Sequence, residues 1–467
     1  MMLRTRTFNC LRRESSLLPL RSLVARRLAS QGTPATSLRS SRQPSKELGD
    51  VLADVIKTTG PISVAAYMRQ CLTNPDSGYY INKDPFGVEG DFITSPEISQ
   101  MFGEVVAIWC ITEWMAQRRP QQIRLIELGP GRAALLRDML KAFQSFVPFK
   151  STIVDICLVE ASPTLRTAQH SNLCDSAMRE TGDGFSSITR YGLPIKWYTN
   201  LKEVPRDVTS FIIAHEFFDA LPIHQFEHTQ HGWREIMVDY SIPEGKTPLS
   251  LPGQTRSLDH KPKFNLTVLP YYTPSSKVGP ESSSRYKKLP VNAKIEISPE
   301  SWDVAKDLAL RISEQRSPEF PTGSGAALVI DYGPAETIPV DTLRAIKGHH
   351  FVSPFEEPGT ADLSADVDFT ALKSVAEREG HVAVHGPVEQ GDWLHALGIG
   401  ARATVLANQQ TTPEGKDRVA KEYHRLVERS GGAMGKIYKV MAFTPGETPT
   451  PVGFGGRVVE DDDQGIE

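Results

Sequence analysis

The chain has 467 residues, a hydrophobic fraction of 39% and a formal net charge of -4, which allows a large buried core and excludes the basic excess of a nucleic-acid binder. No apolar run approaches the roughly 18 residues that would cross a membrane as a helix, so a soluble protein is expected. Cys10, Cys71, Cys110, Cys157 and Cys174 lack CxxC spacing, and His349, His350, His381, His385 and His395 lack helix-spaced partners; this pattern argues for reduced structural thiols and against a metal centre.

Residues 1–45 carry Arg4, Arg6, Arg12, Arg13, Arg21, Arg26, Arg27, Arg39 and Arg42 interleaved with Leu3, Leu11, Leu17, Leu18 and Leu28, with Glu14 as the one acid. A cationic, serine-rich, potentially amphipathic segment of this kind reads as a mitochondrial presequence and linker. Residues 46–120 read as a helical cover. Leu48, Leu52, Val55 and Ile56, then Ile62, Ala65, Met68, Cys71 and Leu72, have the spacing of two amphipathic helices parted by Thr59-Gly60-Pro61. A third, strongly apolar helix is expected to start at Ser95-Pro96-Glu97 and run through Phe102, Trp109 and Trp114, with Asp91 and Glu97 near its polar start.

The next stretch organises the chain. Arg124–Arg132 reads RLIELGPGR, an apolar strand that ends on a carboxylate and turns at once through Gly129, Pro130 and Gly131 into a helix. Neither glycine has a Cβ to hold a ligand away. A dinucleotide fingerprint would want a third glycine where Ala134 stands. Glu127 instead favours S-adenosyl-L-methionine, whose cationic sulfonium and amino group suit a nearby carboxylate. The second strand, Ile153 to Val159, ends on Glu160, placed to accept hydrogen bonds from ribose hydroxyls. After a short third strand at Ile195 to Tyr198, the apolar run Ser210–Ala214 delivers His215, Glu216 and Asp219 to the same rim if the strands run parallel. Residues 121–240 thus form the first half of a wound α/β core.

Residues 241–294, rich in Pro, Ser, Lys and Gly, read as an inserted arm. The second core half, 295–444, offers a helix from Ser301 to Ser313, a buried strand from Ala326 to Tyr332, a helix capped by Asp368, and closing strands at His381 to His385 and Lys436 to Phe443. Residues 445–467 form a polar tail.

With these residues in view, MRQCLTNPDSGYY (68–80), GDFITSPEISQMFGE (90–104), ELGPGR (127–132), HEFFDALPIHQF (215–226), IDYG (330–333), PGTADLSADVDF (358–369) and LGIGAR (397–402) resemble the MidA-type methyltransferases, whose mitochondrial members are complex I assembly factors and protein-arginine methyltransferases. The resemblance implies a seven-stranded, Rossmann-like S-adenosyl-L-methionine-dependent methyltransferase fold in the mitochondrial matrix. It further implies symmetric dimethylation of an arginine in the 49 kDa-type core subunit of complex I, a protein substrate. Ala133-Ala134 after Arg132, and His215 where the family has Asn, depart from its pattern. On this reading Glu127, Gly129, Gly131 and Glu160 bind cofactor, and Glu216 and Asp219 clamp the guanidinium, with Asp91 and Glu97 as weaker candidates. A small-molecule methyltransferase, or an assembly chaperone with weak turnover, stays open as an alternative.

Overall fold

Seven apolar segments become the strands of the main sheet in this computed structural model, which describes residues 47–82, 94–182, 184–241, 263–314 and 323–456. They are β1 (Ile123–Leu128), β2 (Ile153–Val159), β3 (Pro194–Tyr198), β4 (Thr209–His215), β5 (Gly325–Tyr332), β6 (Val382–Glu389) and β7 (Tyr438–Pro445). Their spatial order is β6-β7-β5-β4-β1-β2-β3. The strands from β3 to β5 pair in parallel, and β7 lies antiparallel between β5 and β6. Two further strands, Gly184–Ile188 and Arg179–Thr181, extend the sheet beyond β3. Their residues are half-buried or exposed, so they lack the apolar signature that makes the other seven legible.

Every residue of β1 is buried, because both faces of the sheet are covered. Leu125, Phe211, Ile213 and Leu328 face a cluster with the helices Gln100–Ala116 and Ala134–Phe143. Ile126, Ile212, Ala327 and Val329 face the opposite cluster, with Pro299–Ser313 and Phe369–Gly380. This two-residue alternation fixes the register, since a slip by one residue would exchange the faces. Each fully covered Ile, Leu or Phe contributes about 1.5–3 kcal/mol. At the rim where β1 and β2 begin, charges are matched: Arg124 stands opposite Asp155 and donates to both its oxygens at 2.6 and 2.9 Å, and to Asp207 at 2.7 Å.

The chain leaves β1 toward β2 and β3 and then returns to β4 on the other flank of β1. Ligands of such sheets sit at this reversal, outside the carboxyl ends of the strands. The ends of β1 and β4 carry the Gly129–Gly131 turn and the His215–Asp219 segment.

The helical cover is divided. Leu48–Thr59 and Val64–Thr73 pack with a second sheet through Leu48, Leu52, Tyr67, Val238 and Phe264. That sheet is antiparallel and contains Ile62–Ser63, Gly232–Ser241, His224–Thr229, Lys294–Ile297 and Lys263–Val268. The arm therefore contributes a strand from Lys263 on, paired with Gly232–Ser241. The apolar third helix is broken where one continuous helix is expected: Ser95–Ile98 is capped at Thr94, Ser99 is extended, and Gln100–Ala116 starts anew with Ser99 accepting from the Met101 amide. The helix expected at Asp368 starts as anticipated, its carboxylate accepting from the Ala371 amide at 2.9 Å. A small sheet of Arg344–Lys347, His350–Val352 and Asp362–Ser364 stands beside the carboxyl ends of the central strands.

Candidate active site

The β1 strand ends with the Gly129 amide donating to the Val159 carbonyl at 3.1 Å. Gly129 and Gly131 then take φ of +60° and +53°, a conformation that glycine adopts without strain. A Cβ on Gly129 would lie 3.0 Å from the Phe217 ring. Ala133 takes φ +60° with its methyl group fully buried. Alanine in this region costs about 1–2 kcal/mol, whereas Ala134 simply begins the following helix.

The turn is clamped from the helix Pro163–Leu173. Gln169, fully buried, donates to the Gly131 carbonyl at 2.8 Å and to Glu160 Oε2 at 3.0 Å, and accepts from the Trp197 indole at 2.9 Å. Asn172, one turn further, donates to the Arg132 carbonyl at 2.9 Å. Sequence reasoning missed both. The available signal was a polar Gln169 standing four residues from Leu165 and from Leu173, inside a buried stripe.

Glu160 follows β2, and its Oε1 accepts from the Ser162 amide at 2.8 Å. Burial pushes its pKa up to about 7 despite these donors. Glu127, in β1, is pushed up to about 8 by burial, and its Oε2 has no hydrogen-bond partner. Neither carboxylate forms an ion pair among the described residues. A buried carboxylate oxygen without a partner is costly unless a ligand satisfies it.

At the end of β4 the Glu216 amide donates to the Ile330 carbonyl at 3.0 Å, and Glu216 itself takes φ +48°. This strained turn is held from β5. Asp331, fully buried, accepts from the amides of Phe217, Phe218 and Asp219 at 3.1, 2.9 and 3.3 Å, and from that of Tyr332 at 2.9 Å. Although the sequence shows Asp331 at a strand end, its three partners in the β4 turn lie more than a hundred residues away. Glu216 is raised to about 8, first by burial and then by Asp219. His215 is driven down to about 3 by burial, so it is neutral, and its Nε2 has no hydrogen-bond partner.

Three adjoining hollows meet at Glu216. A cleft of about 440 Å³ is lined by Gly129, Gly131, Glu160, Glu216 and Phe217. A small hollow of about 40 Å³ contains Glu127, His215 and Glu216 against the same glycine turn. The third, of about 550 Å³, contains Glu216, Asp219, Asp362 and Asp366 with Tyr80, Tyr332 and Tyr438. In it three tyrosine hydroxyls each donate to one carboxylate: Tyr438 to Glu216 at 3.1 Å, Tyr80 to Asp362 at 2.7 Å, and Tyr332 to Asp219. Burial raises all three phenols, which therefore keep their protons. The other oxygen of Asp219 is buried without a partner. Carboxylates beside aromatic faces suit a planar cation.

The geometry gathers Gly129, Gly131, Glu160 and Glu216 in one cleft, puts Glu127 beneath the turn in the adjoining hollow, and sets Asp219 on the far side of Glu216. Glu97 lines the small hollow, but its carboxylate accepts from the Thr94 amide at 3.2 Å and acts as a cap. Asp91 lies outside the described residues. The residues fit a cationic, ribose-bearing ligand: a glycine turn open to close approach, a carboxylate lacking a partner, and a second carboxylate at the tip of the neighbouring strand.

Residues 105–388 match the family described as "Putative S-adenosyl-L-methionine-dependent methyltransferase". The chain is 39% identical over 393 residues to the mitochondrial protein arginine methyltransferase NDUFAF7 of Danio rerio, covering 83% of this chain and 85% of that protein. It is 38% identical to that of Bos taurus (84% and 81% covered) and 38% identical to the homologue of Drosophila melanogaster (84% and 83%). Among solved structures, a protein from Burkholderia thailandensis described as a "likely methyl transferase" and bound to S-adenosyl-homocysteine superposes with a TM-score of 0.67 at 22% identity, over 87% of this chain and 94% of that one. At that identity the likeness shows a common fold.

Proposed function

Starting from the fact that this chain belongs to the S-adenosyl-L-methionine-dependent methyltransferase family and so uses that cofactor, we propose that it is a protein-arginine N-methyltransferase acting in mitochondria. The names of its relatives support both the reaction and the compartment. The arginine-rich segment 1–45 supports import, and the matrix is the compartment such a presequence serves. The finer reading is symmetric dimethylation of an arginine in the 49 kDa-type core subunit of complex I, required for assembly of that complex.

One observation carries the reading: Glu216 belongs to the walls of both the glycine-turn cleft and the acid and tyrosine pocket. A group at that junction can touch cofactor and substrate together. When bound, the cofactor supplies an electrophilic methyl group on its sulfonium. Gly129 and Gly131 allow close approach, Glu127 attracts the cationic amino-acid end, and Glu160, held by Gln169, takes the ribose hydroxyls. A guanidinium is a poor nucleophile because its lone pairs are delocalised and its pKa exceeds about 12. Orientation is therefore the main task of the protein. Glu216 and Asp219 grip the guanidinium and aim one nitrogen toward the cleft. The Glu216 carboxylate accepts the proton which that nitrogen sheds as the new N–C bond forms.

The direct test is incubation of the protein with labelled S-adenosyl-L-methionine and candidate complex I subunits, followed by mass spectrometry. Symmetric dimethylarginine on the 49 kDa-type subunit is expected. Label on metabolites and none on protein would replace the reading with a small-molecule methyltransferase.

A further inference from the structure

The mouth of the acid and tyrosine pocket carries large apolar side chains left in water. Phe351 is 76% exposed and Ile437 is 54% exposed, yet both line the pocket together with Ile346. Their placement is built into the fold. Phe351 stands opposite Ile346 in the antiparallel pair of Arg344–Lys347 with His350–Val352, and Ile437 directly precedes Tyr438, whose hydroxyl reaches Glu216. Below this rim the pocket turns acidic, with Glu216, Asp219 and Asp362. Arg344 stands on the same wall, its guanidinium donating to Asp366 at 2.7 Å and lying 4.6 Å over the Tyr332 ring. Lys439 turns its ammonium to the carbonyls of Lys436 and Ile437.

A cavity with an apolar lip and a floor of carboxyl groups beside aromatic faces suits one kind of occupant, a planar cationic side chain projecting from a segment whose neighbouring residues are apolar. We propose that Ile346, Phe351 and Ile437 dock the segment flanking the target arginine, and that this segment carries bulky apolar residues beside the arginine. The proposal rests on the arginine-methyltransferase reading and adds its sequence preference. A glycine-rich arginine segment has no side chains to cover the lip, and Lys436 on the same wall disfavours a basic neighbour.

The test uses the full chain, saturating labelled cofactor, and two peptides that differ only in having leucine or glycine on both sides of the arginine. The leucine peptide is expected to show a KM about tenfold lower, the size of effect produced by covering one or two apolar side chains. In Phe351→Ser and in Ile437→Ser the ratio of the two KM values should collapse to within about twofold. Both side chains are exposed, so melting temperatures should stay near that of the parent. A ratio within twofold for the parent, or a tenfold ratio that survives both substitutions, overturns the docking proposal while leaving arginine methylation intact. Methylation of neither peptide, with no label on any protein subunit, overturns the arginine reading and this proposal together.

Discussion

Replacing Glu216 by Gln tests the role of the residue shared by all three hollows, and the expected size follows from its surroundings. Burial and Asp219 raise its pKa to about 8, so Glu216 is mostly protonated at neutral pH and ionises as the pH rises toward 9. With cofactor saturating, so that titration of Glu127 and Glu160 drops out, kcat/KM for an arginine peptide should climb about tenfold per pH unit and level off above pH 8. Glutamine keeps the shape but cannot carry the charge. One or two charge-assisted hydrogen bonds to the guanidinium are each worth about 1.5–3 kcal/mol, so the ceiling at pH 9 should fall by roughly 10- to 10⁴-fold. The rising limb should lose the part that Glu216 contributes and keep only that of Asp219, whose pKa burial also raises and which shares the clamp. The assay is peptide methylation across pH 6–9, with cofactor affinity measured separately by calorimetry. A variant that keeps the limb unchanged, loses less than about threefold in kcat/KM, or loses cofactor affinity in the same proportion as activity would refute this role for Glu216.

Tyr438→Phe removes the hydroxyl whose hydrogen bond lowers the Glu216 pKa; the limb should move to higher pH by roughly 0.5–1 unit, the equivalent of about one neutral hydrogen bond, and an unmoved midpoint in the same pH profile would deny the coupling. Gly131→Val places a β-branched residue at φ +53°, a strain of at least about 1–2 kcal/mol, and should abolish cofactor binding while leaving a cooperative melt; unchanged binding in calorimetry would remove the turn from the site. Gln169→Leu leaves the Gly131 carbonyl, Glu160 and the Trp197 indole without their shared partner. It should cost about 2–4 kcal/mol in chemical denaturation and weaken cofactor binding about tenfold; full affinity at reduced stability would show that Gln169 supports the fold alone.

Much of the main sheet could be read from the chain itself. The strands of Glu127, Glu160 and His215 are apolar because they are buried on both faces, and each breaks into polar or glycine residues where it leaves the sheet. The hairpin of Arg179–Thr181 and Gly184–Ile188 escaped notice because an exposed edge needs no apolar pattern. The strand Lys263–Val268 lay in a stretch too poor in periodicity to read, and it is specified by pairing with Gly232–Ser241 across the chain. Ser99 broke the apolar helix because its hydroxyl captures the Met101 amide, a local competition that helix periodicity does not display.

The chain alone determined where the turn lies, which carboxylates end the strands, and that a cationic, ribose-bearing cofactor suits them, because burial patterns and glycine turns are local properties. Tertiary structure alone decided how those carboxylates divide among three adjoining hollows. It set Gln169 across the turn from Glu160, locked Glu216 at φ +48° through Asp331, and brought Tyr80, Tyr332 and Tyr438 to three different carboxylates. Most of these are contacts between residues far apart in sequence, and their strength depends on burial that no single segment possesses before the chain has folded.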